Sequence, residues 1–480
     1  MARNIERLAI VLMLCFGIVS ASLGYWQTVR AGDLVSDPSI NRARLHEEER
    51  RVQRGQILDR NGQVLARTDV TAEIGKRVYT APWLVHVTGH HSLRFGNSNV
   101  EQSHDLYLRG KTGVDATSAF RDRLLHRPIQ GSDVVLTIDL RLQEVAEQAL
   151  GNSAGAILVM DPRTGEILAL ASHPYYDPNE LEQGWELLRD DPSTPLLNRA
   201  TQGLYAPGSV FKTITVAAAV DSGMVQPNQR FEFTLSAGQQ PYHSEIFHGF
   251  PVTCANHPNN PPGKLSMSLA EAYAASCNVA FAELGVKIGH LRLIDYANRF
   301  GLGAELPGEL ASAPSQLATD LKSLRDDAAL ASTAFGQGQL LVSPLQVALV
   351  TNAIANQGTI MAPHVVKEVR RDGQVVARTE VVPWRKAIQP TTAEIVRSMM
   401  VQSVEQGWAS PAKIPGVSVA GKTGTAETGD GQQTHAWFTA FAPADNPTVS
   451  VTVVKEHAGF GSAQAIPPAK QVLEAALTLR

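Results

Sequence analysis

Ala206-Pro207-Gly208-Ser209-Val210-Phe211-Lys212-Thr213-Ile214-Thr215-Val216-Ala217-Ala218-Ala219-Val220 runs from a turn into a helix that is apolar nearly all round. A helix of that kind is buried in the core of a large protein. Ser209 falls at its first turn, where unpaired N–H groups and the helix dipole favour developing negative charge. Lys212 follows three residues later, so its amine shares a face with the hydroxyl. A lysine in an apolar helix is desolvated, which lowers its pKa toward that of a usable base. In isolation the pair also reads as an N-cap serine beside a snorkelling lysine. Burial of the whole helix weighs against that reading.

Working outward, two further short motifs stand in order. Ser276-Cys277-Asn278 lies between two helical patterns, the first opened by a capping box of Ser268 and Glu271. At such a junction the Ser276 and Asn278 side chains converge on one cavity, Ser276 to relay a proton and Asn278 to orient Lys212. Routine capping is the competing reading, because Ser and Asn are common at helix boundaries. Val419-Ala420-Gly421-Lys422-Thr423-Gly424-Thr425-Ala426-Glu427 reads as a strand. Lys422 offers charge, Thr423 and Thr425 offer hydroxyls suited to a carboxylate, and Gly424 lets another backbone approach closely. The N–H groups of Thr425 and Ser209 would form an oxyanion hole. Together these are the parts of a serine acyl-transfer enzyme.

Gly416 to Thr423 also matches the phosphate-loop pattern. Context rejects it. Pro415 precedes it, Val417 and Val419 read as strand, and Gly424 with the Asp430-Gly431 turn breaks any following helix.

The 480 residues point to two or three domains. A hydrophobic content of 44%, 18% charged residues and a net charge of -4 describe a globular protein without a basic stripe, so nucleic acid is excluded as a partner. No Cys-x-x-Cys or His-x-x-x-His spacing accompanies Cys254 and Cys277, so a metal is not expected there, and no cofactor is expected. Leu8 to Trp26 contains no charged residue, and its 19 residues span about 28 Å as a helix. Arg3 and Arg7 precede it, while Tyr25 and Trp26 sit at an interface position. An uncleaved anchor is favoured over a signal peptide, with the N-terminus inside and everything from about residue 30 outside. Cys254 and Cys277 then face an oxidising space, where a disulfide and two free buried thiols are equally compatible with the sequence.

Residues 29 to about 50 read as a polar stalk. Asn61-Gly62 marks a hairpin, and Val134 to Ile138 a strand. Asp139 caps a helix from Leu140 to Leu150 that stops at Gly151. Ala156 to Met160 and Glu166 to Ser172 are near-continuous apolar strands of a buried sheet. Asp372-Gly373 marks a second hairpin, and Thr391 with Glu394 a capping box before a helix from Ile395 to Glu405. Val417–Ala420, Ala436–Phe441 and Thr448–Val454 read as closing strands. The expected fold is α+β, a helical subdomain on a mainly antiparallel sheet. The expected division is an anchor over 1–28, a stalk and small non-catalytic domain over 29–150, and a catalytic domain over 151–480.

The three motifs, with Arg54-Gly55…Asp59-Arg60-Asn61-Gly62, Thr137-Ile138-Asp139, Asp161-Pro162, Gly336-Gln337-Gly338 and His435-Ala436-Trp437-Phe438, resemble the class B penicillin-binding proteins, in particular the penicillin-binding protein A group. The resemblance implies a serine penicillin-recognising fold and a D,D-transpeptidase that cross-links wall stem peptides and is acylated by β-lactams. It implies Ser209 as nucleophile, Lys212 as base, Ser276 and Asn278 for relay and orientation, and Lys422, Thr423, Gly424 and Thr425 for the substrate carboxylate. A lipid-II glycosyltransferase of the elongation or division machinery is the implied partner. The absence of a glycosyltransferase-sized domain before residue 150 and of wall-sensing repeats at the C-terminal end fits class B. The rival readings are a D,D-carboxypeptidase or β-lactamase-like hydrolase, and a scaffold of the wall-synthesis machinery.

Overall fold

The computed structural model describes residues 2–30, 52–69, 75–113, 129–232, 244–247, 249–254, 266–429 and 431–479. The stalk and part of the small domain therefore lie outside the described residues. Helix α1 (Ala2–Thr28) carries the uncharged run, with its apolar side chains exposed along their length.

In chain order the strands of the two main sheets are β1 (Ile57–Leu58), β2 (Val64–Asp69), β3 (Lys76–Tyr79), β4 (Asp133–Leu136), β5 (Gly155–Met160), β6 (Ile167–His173), β7 (Val366–Arg371), β8 (Gln374–Arg378), β9 (Ala420–Ala426), β10 (His435–Ala442) and β11 (Val449–Lys455). One sheet has the order β8-β7-β4-β1-β2-β3, antiparallel except for the β1–β4 pair. The other has the order β6-β5-β11-β10-β9 and is antiparallel throughout.

Both hairpins form where Asn61-Gly62 and Asp372-Gly373 place them. Their destinations differ. The late hairpin β7–β8 joins the sheet built from N-terminal strands, pairing Val369 with Val134. Hairpin chemistry sets a local turn, whereas sheet membership depends on which exposed edge the hairpin meets.

The second sheet is buried on both faces, which explains its continuous apolar strands. Helix α2 (Leu140–Leu150) is capped by Asp139, whose carboxylate accepts from the Arg141 N–H. It packs through Leu142, Ala146 and Leu150 on one face with a C-terminal helix (Ile466–Leu479), whose buried positions include Ile466, Ala469, Val472, Leu473 and Ala476. The helix Pro344–Ala355 covers the other face; all its side chains are buried.

Three boundaries depart from expectation. The strand read from Val417 begins only at Ala420 and runs to Ala426, so Lys422 to Thr425 lie within it, as the reading of Val419 to Glu427 has them. A single 3₁₀ turn, Gly208–Phe211, precedes helix α3 (Lys212–Asp221), so Ser209 sits one turn ahead of the regular helix. The late helix starts at Pro390, not after Thr391, and the Thr391–Glu394 capping box does not form. Proline suits the first helical position because its missing N–H has no partner there anyway. The start is held by tertiary structure, since the Asp221 carboxylate accepts from Gln389 N–H (2.8 Å) and Thr392 Oγ1 (2.7 Å).

In the small N-terminal unit, a fully buried Glu101 is clamped by two arginines. Arg54 Nη2 and Arg77 Nε each reach one of its oxygens at 2.7 Å. Burial alone would push the Glu101 carboxyl up, yet Arg77 and Arg54 outweigh it and bring it down to about 2.

Candidate active site

The 3₁₀ turn that carries Ser209 is pressed against strand β9. Gly208 has φ of +55°, and an added Cβ there would stand 2.5 Å from the Thr425 carbonyl oxygen. Gly424 answers from the strand, where a Cβ would meet the Pro207 carbonyl at 2.7 Å. Side chains at either position would hold the Ser209 turn away from the strand. Trp437, opposite Gly424 in the sheet, donates its indole N–H to Ala206 O at 3.0 Å and pins the turn from behind.

Lys212 is fully buried and its Nζ meets four oxygens. Ser276 O and Asn278 Oδ1 lie at 2.7 Å, Ser209 Oγ at 3.0 Å and Ser276 Oγ at 3.2 Å. The Asn278 amide is oriented by its own nitrogen, which donates to Thr253 O at 3.1 Å. Desolvation, reinforced by the nearby Lys422 charge, holds the Lys212 amine well below the usual lysine range.

The junction anticipated around Ser276 is real. The capping box of Ser268 and Glu271 opens the helix Leu269–Ala274, and a second helix starts at Asn278. Between them Ser276 takes φ of +56°, a left-handed conformation uncommon for serine. That kink presents both its carbonyl and its hydroxyl to Lys212. A disulfide between Cys277 and Cys254 ties the junction to the segment carrying Thr253, which decides between the two readings the sequence left open.

Lys422 is also fully buried, and its Nζ donates to Ser276 Oγ at 2.9 Å and to Thr423 O at 3.1 Å. Burial brings its pKa down to about 7. Ser276 Oγ thus stands between two amines. Gly421 to Thr425 lie within a strand and no helix follows, which removes the phosphate-loop reading structurally as well.

Ser209, Ser276, Asn278, Thr423 and Thr425 line one cleft of about 820 Å³, with the two lysines beneath its floor. The motifs, far apart in sequence, are brought together as expected. Sequence reasoning missed the aromatic ceiling of the buried amines. Phe281 lies 5.4 Å from Lys212 Nζ, and Tyr273 lies 5.5 Å from Lys422 Nζ. It also missed Glu456, which accepts from Arg199 Nε (2.8 Å) and Tyr205 OH (2.7 Å) and braces the chain beyond β11. Neither contact has a local signal, since each depends on how distant elements pack. Among the described residues no group of three or more His, Cys, Asp or Glu side chains could hold a metal.

Comparison with known proteins gives a consistent picture. Residues 155–477 match the penicillin binding protein transpeptidase domain, and residues 54–134 the penicillin binding protein A dimerisation domain. The peptidoglycan D,D-transpeptidase PbpA of Mycolicibacterium smegmatis is 36% identical, with 99% of each chain covered. That of Mycobacterium tuberculosis is 34% identical, again over 99% of both. The structure of penicillin-binding protein A from M. tuberculosis as an imipenem acyl-enzyme superposes with a TM-score of 0.80 at 34% identity, covering 90% of this chain and 100% of that one. The D,D-transpeptidase domain of a peptidoglycan glycosyltransferase from Eggerthella lenta gives 0.78 at 32% identity, covering 89% and 99%.

Proposed function

The chain belongs to the penicillin-binding protein transpeptidase family, and we propose that it is a peptidoglycan D,D-transpeptidase working through an acyl-Ser209 intermediate. The observation that carries this reading is the contact set of Lys212. Ser276 O and Asn278 Oδ1 can only accept, so they take both N–H bonds of a neutral amine. The lone pair is then left for the Ser209 hydroxyl at 3.0 Å. Lys212 is the base and Ser209 the nucleophile that attacks the carbonyl between the two D-Ala residues of a donor stem.

Lys422, Thr423 and Thr425 hold the donor's terminal carboxylate, with Gly424 keeping the strand close to the nucleophile turn. Backbone N–H groups of Ser209 and Thr425 stabilise the oxyanion. Ser276 Oγ, between the two amines, passes a proton to the departing D-Ala nitrogen. An amine of a second stem then attacks the acyl-serine and closes the cross-link. β-Lactams acylate the same Ser209.

The N-terminal apolar helix is long and apolar enough over Arg7–Thr28 to cross a membrane, and in this reading it serves as the anchor. The proposed orientation, N-terminus cytoplasmic and catalytic domain outside, is supported by a substrate that lies outside the cell and by Arg3 and Arg7 before the helix, against Arg30 after it. We divide the chain into an anchor over 1–28, a stalk and pedestal over 29–150 and a transpeptidase domain over 151–480, with the correction that helix α2 (Leu140–Leu150) packs on the transpeptidase sheet and not on the pedestal. The hairpin β7–β8 is returned to the pedestal sheet. A lipid-II glycosyltransferase is the proposed partner.

The test is intact mass of the full-length chain in detergent after incubation with benzylpenicillin, beside Ser209→Ala. A lasting single adduct on the wild type and none on the variant is expected. Rapid loss of the adduct with accumulating hydrolysed drug would favour the hydrolase reading, and no adduct at all the scaffold.

A further inference from the structure

Strand β9 contributes alternate residues to the cleft: Thr423, Thr425 and, just past its end, Glu427. Glu427 is the one residue among those lining the cleft whose side chain ionises. It is exposed, and among the described residues it has no hydrogen bond or ion pair. An exposed carboxylate at the wall of the substrate cleft is placed to pair with a cation on a bound substrate.

The position has a direction. The Ser209 turn abuts Thr425, because a Cβ on Gly208 would touch the Thr425 carbonyl. The terminal carboxylate belongs at Lys422, Thr423 and the Thr425 hydroxyl, on one side of the bond to be broken. Glu427 lies on the other, two residues beyond Thr425, about 7 Å along an extended strand. A donor laid along β9 therefore sends its acyl portion toward Glu427, and the residue preceding D-Ala-D-Ala comes within side-chain reach. Phe460 also lines the cleft, held near Thr425 by the Gly461 N–H bond to Thr425 Oγ1 at 3.3 Å. Its exposed ring offers an apolar surface for the methylenes of a long side chain.

Resting on the transpeptidase reading, we infer that Glu427 is a donor-specificity residue, pairing with a primary ammonium on the side chain of the residue that precedes D-Ala-D-Ala. It does not act on the reacting atoms. No bond joins it to Ser209, Lys212 or Ser276 among the described residues, so it is not placed as a base for deacylating water.

The experiment uses two thioester donors in which thioglycolate replaces the leaving D-Ala and keeps its carboxylate. They differ only in the residue before D-Ala, whose side-chain amine is free in one and acetylated in the other. Thiol release and the acyl-Ser209 mass are followed with the full-length protein in detergent. The wild type should prefer the free amine roughly two- to fivefold, the range of an exposed ion pair, and the preference should fade at about 1 M salt. Glu427→Gln should abolish the preference at every salt concentration. The same preference in wild type and variant would overturn the role of Glu427 alone. So would slower hydrolysis of the acyl-enzyme in the variant with the preference intact. Failure of both donors and of benzylpenicillin to acylate the wild type would instead overturn the transpeptidase reading, and the inference with it.

Discussion

Lys212 Nζ lies 3.0 Å from Ser209 Oγ, and the amine is held there by a carbonyl and an amide oxygen at 2.7 Å rather than by any carboxylate. A carboxylate would stabilise the ammonium and spoil the base. Neutral acceptors fix the geometry while leaving desolvation free to strip the proton. The site therefore distinguishes holding a lysine from charging it.

Lys212→Arg tests that distinction. A guanidinium keeps a positive charge in the same region but does not give up its proton in a protein. Acylation by benzylpenicillin should fall by at least about 100-fold, the lower end of general-base contributions. Stopped-flow acylation rates check this; a loss below tenfold would mean that charge, not basicity, is what Lys212 supplies.

The acylation rate should pass through a maximum with pH. Its rising limb follows loss of the Lys212 proton, and its falling limb, setting in at about 7, follows loss of the Lys422 charge that meets the donor carboxylate. The two amines share Ser276 Oγ, so the limbs belong to the pair. Asn278→Asp places a negative charge beside Lys212, favours its ammonium, and should move the rising limb to higher pH. A pH profile of acylation in which that limb stayed fixed would contradict the assignment.

Stability should be pH-dependent through Glu101. Its folded pKa, about 2, lies below the ordinary 4.5, so its contribution is complete above 4.5 and is lost as pH falls toward 2. Glu101→Gln leaves Arg54 and Arg77 buried beside a neutral partner and should cost about 3–5 kcal/mol. Denaturant titrations of both proteins at pH 7 and pH 3 check the sign: the gap between them should narrow in acid.

Breaking the disulfide should loosen the relay. Cys254 and Cys277 are 23 residues apart, and closing such a loop is worth about 3 kcal/mol in the chain-entropy account. A Cys254→Ser, Cys277→Ser double variant should melt earlier and acylate more slowly, since Thr253 positions Asn278 across that link. Thermal melts and acylation rates are the readouts. Unchanged melting would show the segment is held by packing alone.

Much of this protein is written locally. The buried helix after Ser209 follows from apolar residues on every side, the cap at Asp139 and the capping box at Ser268 from short-range hydrogen bonding, and both hairpins from Asn-Gly and Asp-Gly chemistry. The three motifs are legible because each needs specific residue types at fixed spacing. Other features were not legible because their causes lie elsewhere in the chain. The hairpin at 366–378 crosses to the N-terminal sheet, the helix at Pro390 is capped by Asp221, and Glu101 is charged because Arg54 and Arg77 surround it. Ser276 Oγ comes to lie between two buried lysines only through the packing of a helix junction on a strand nearly 150 residues away, at 2.9 Å from Lys422, with the motifs separated in sequence by 146 positions. The sequence by itself determined which groups the site contains, since that is a matter of side-chain chemistry. Tertiary structure alone decided that both lysines lie buried about Ser276 and that the Ser209 turn abuts Thr425, because burial and contact depend on what distant elements place around each group.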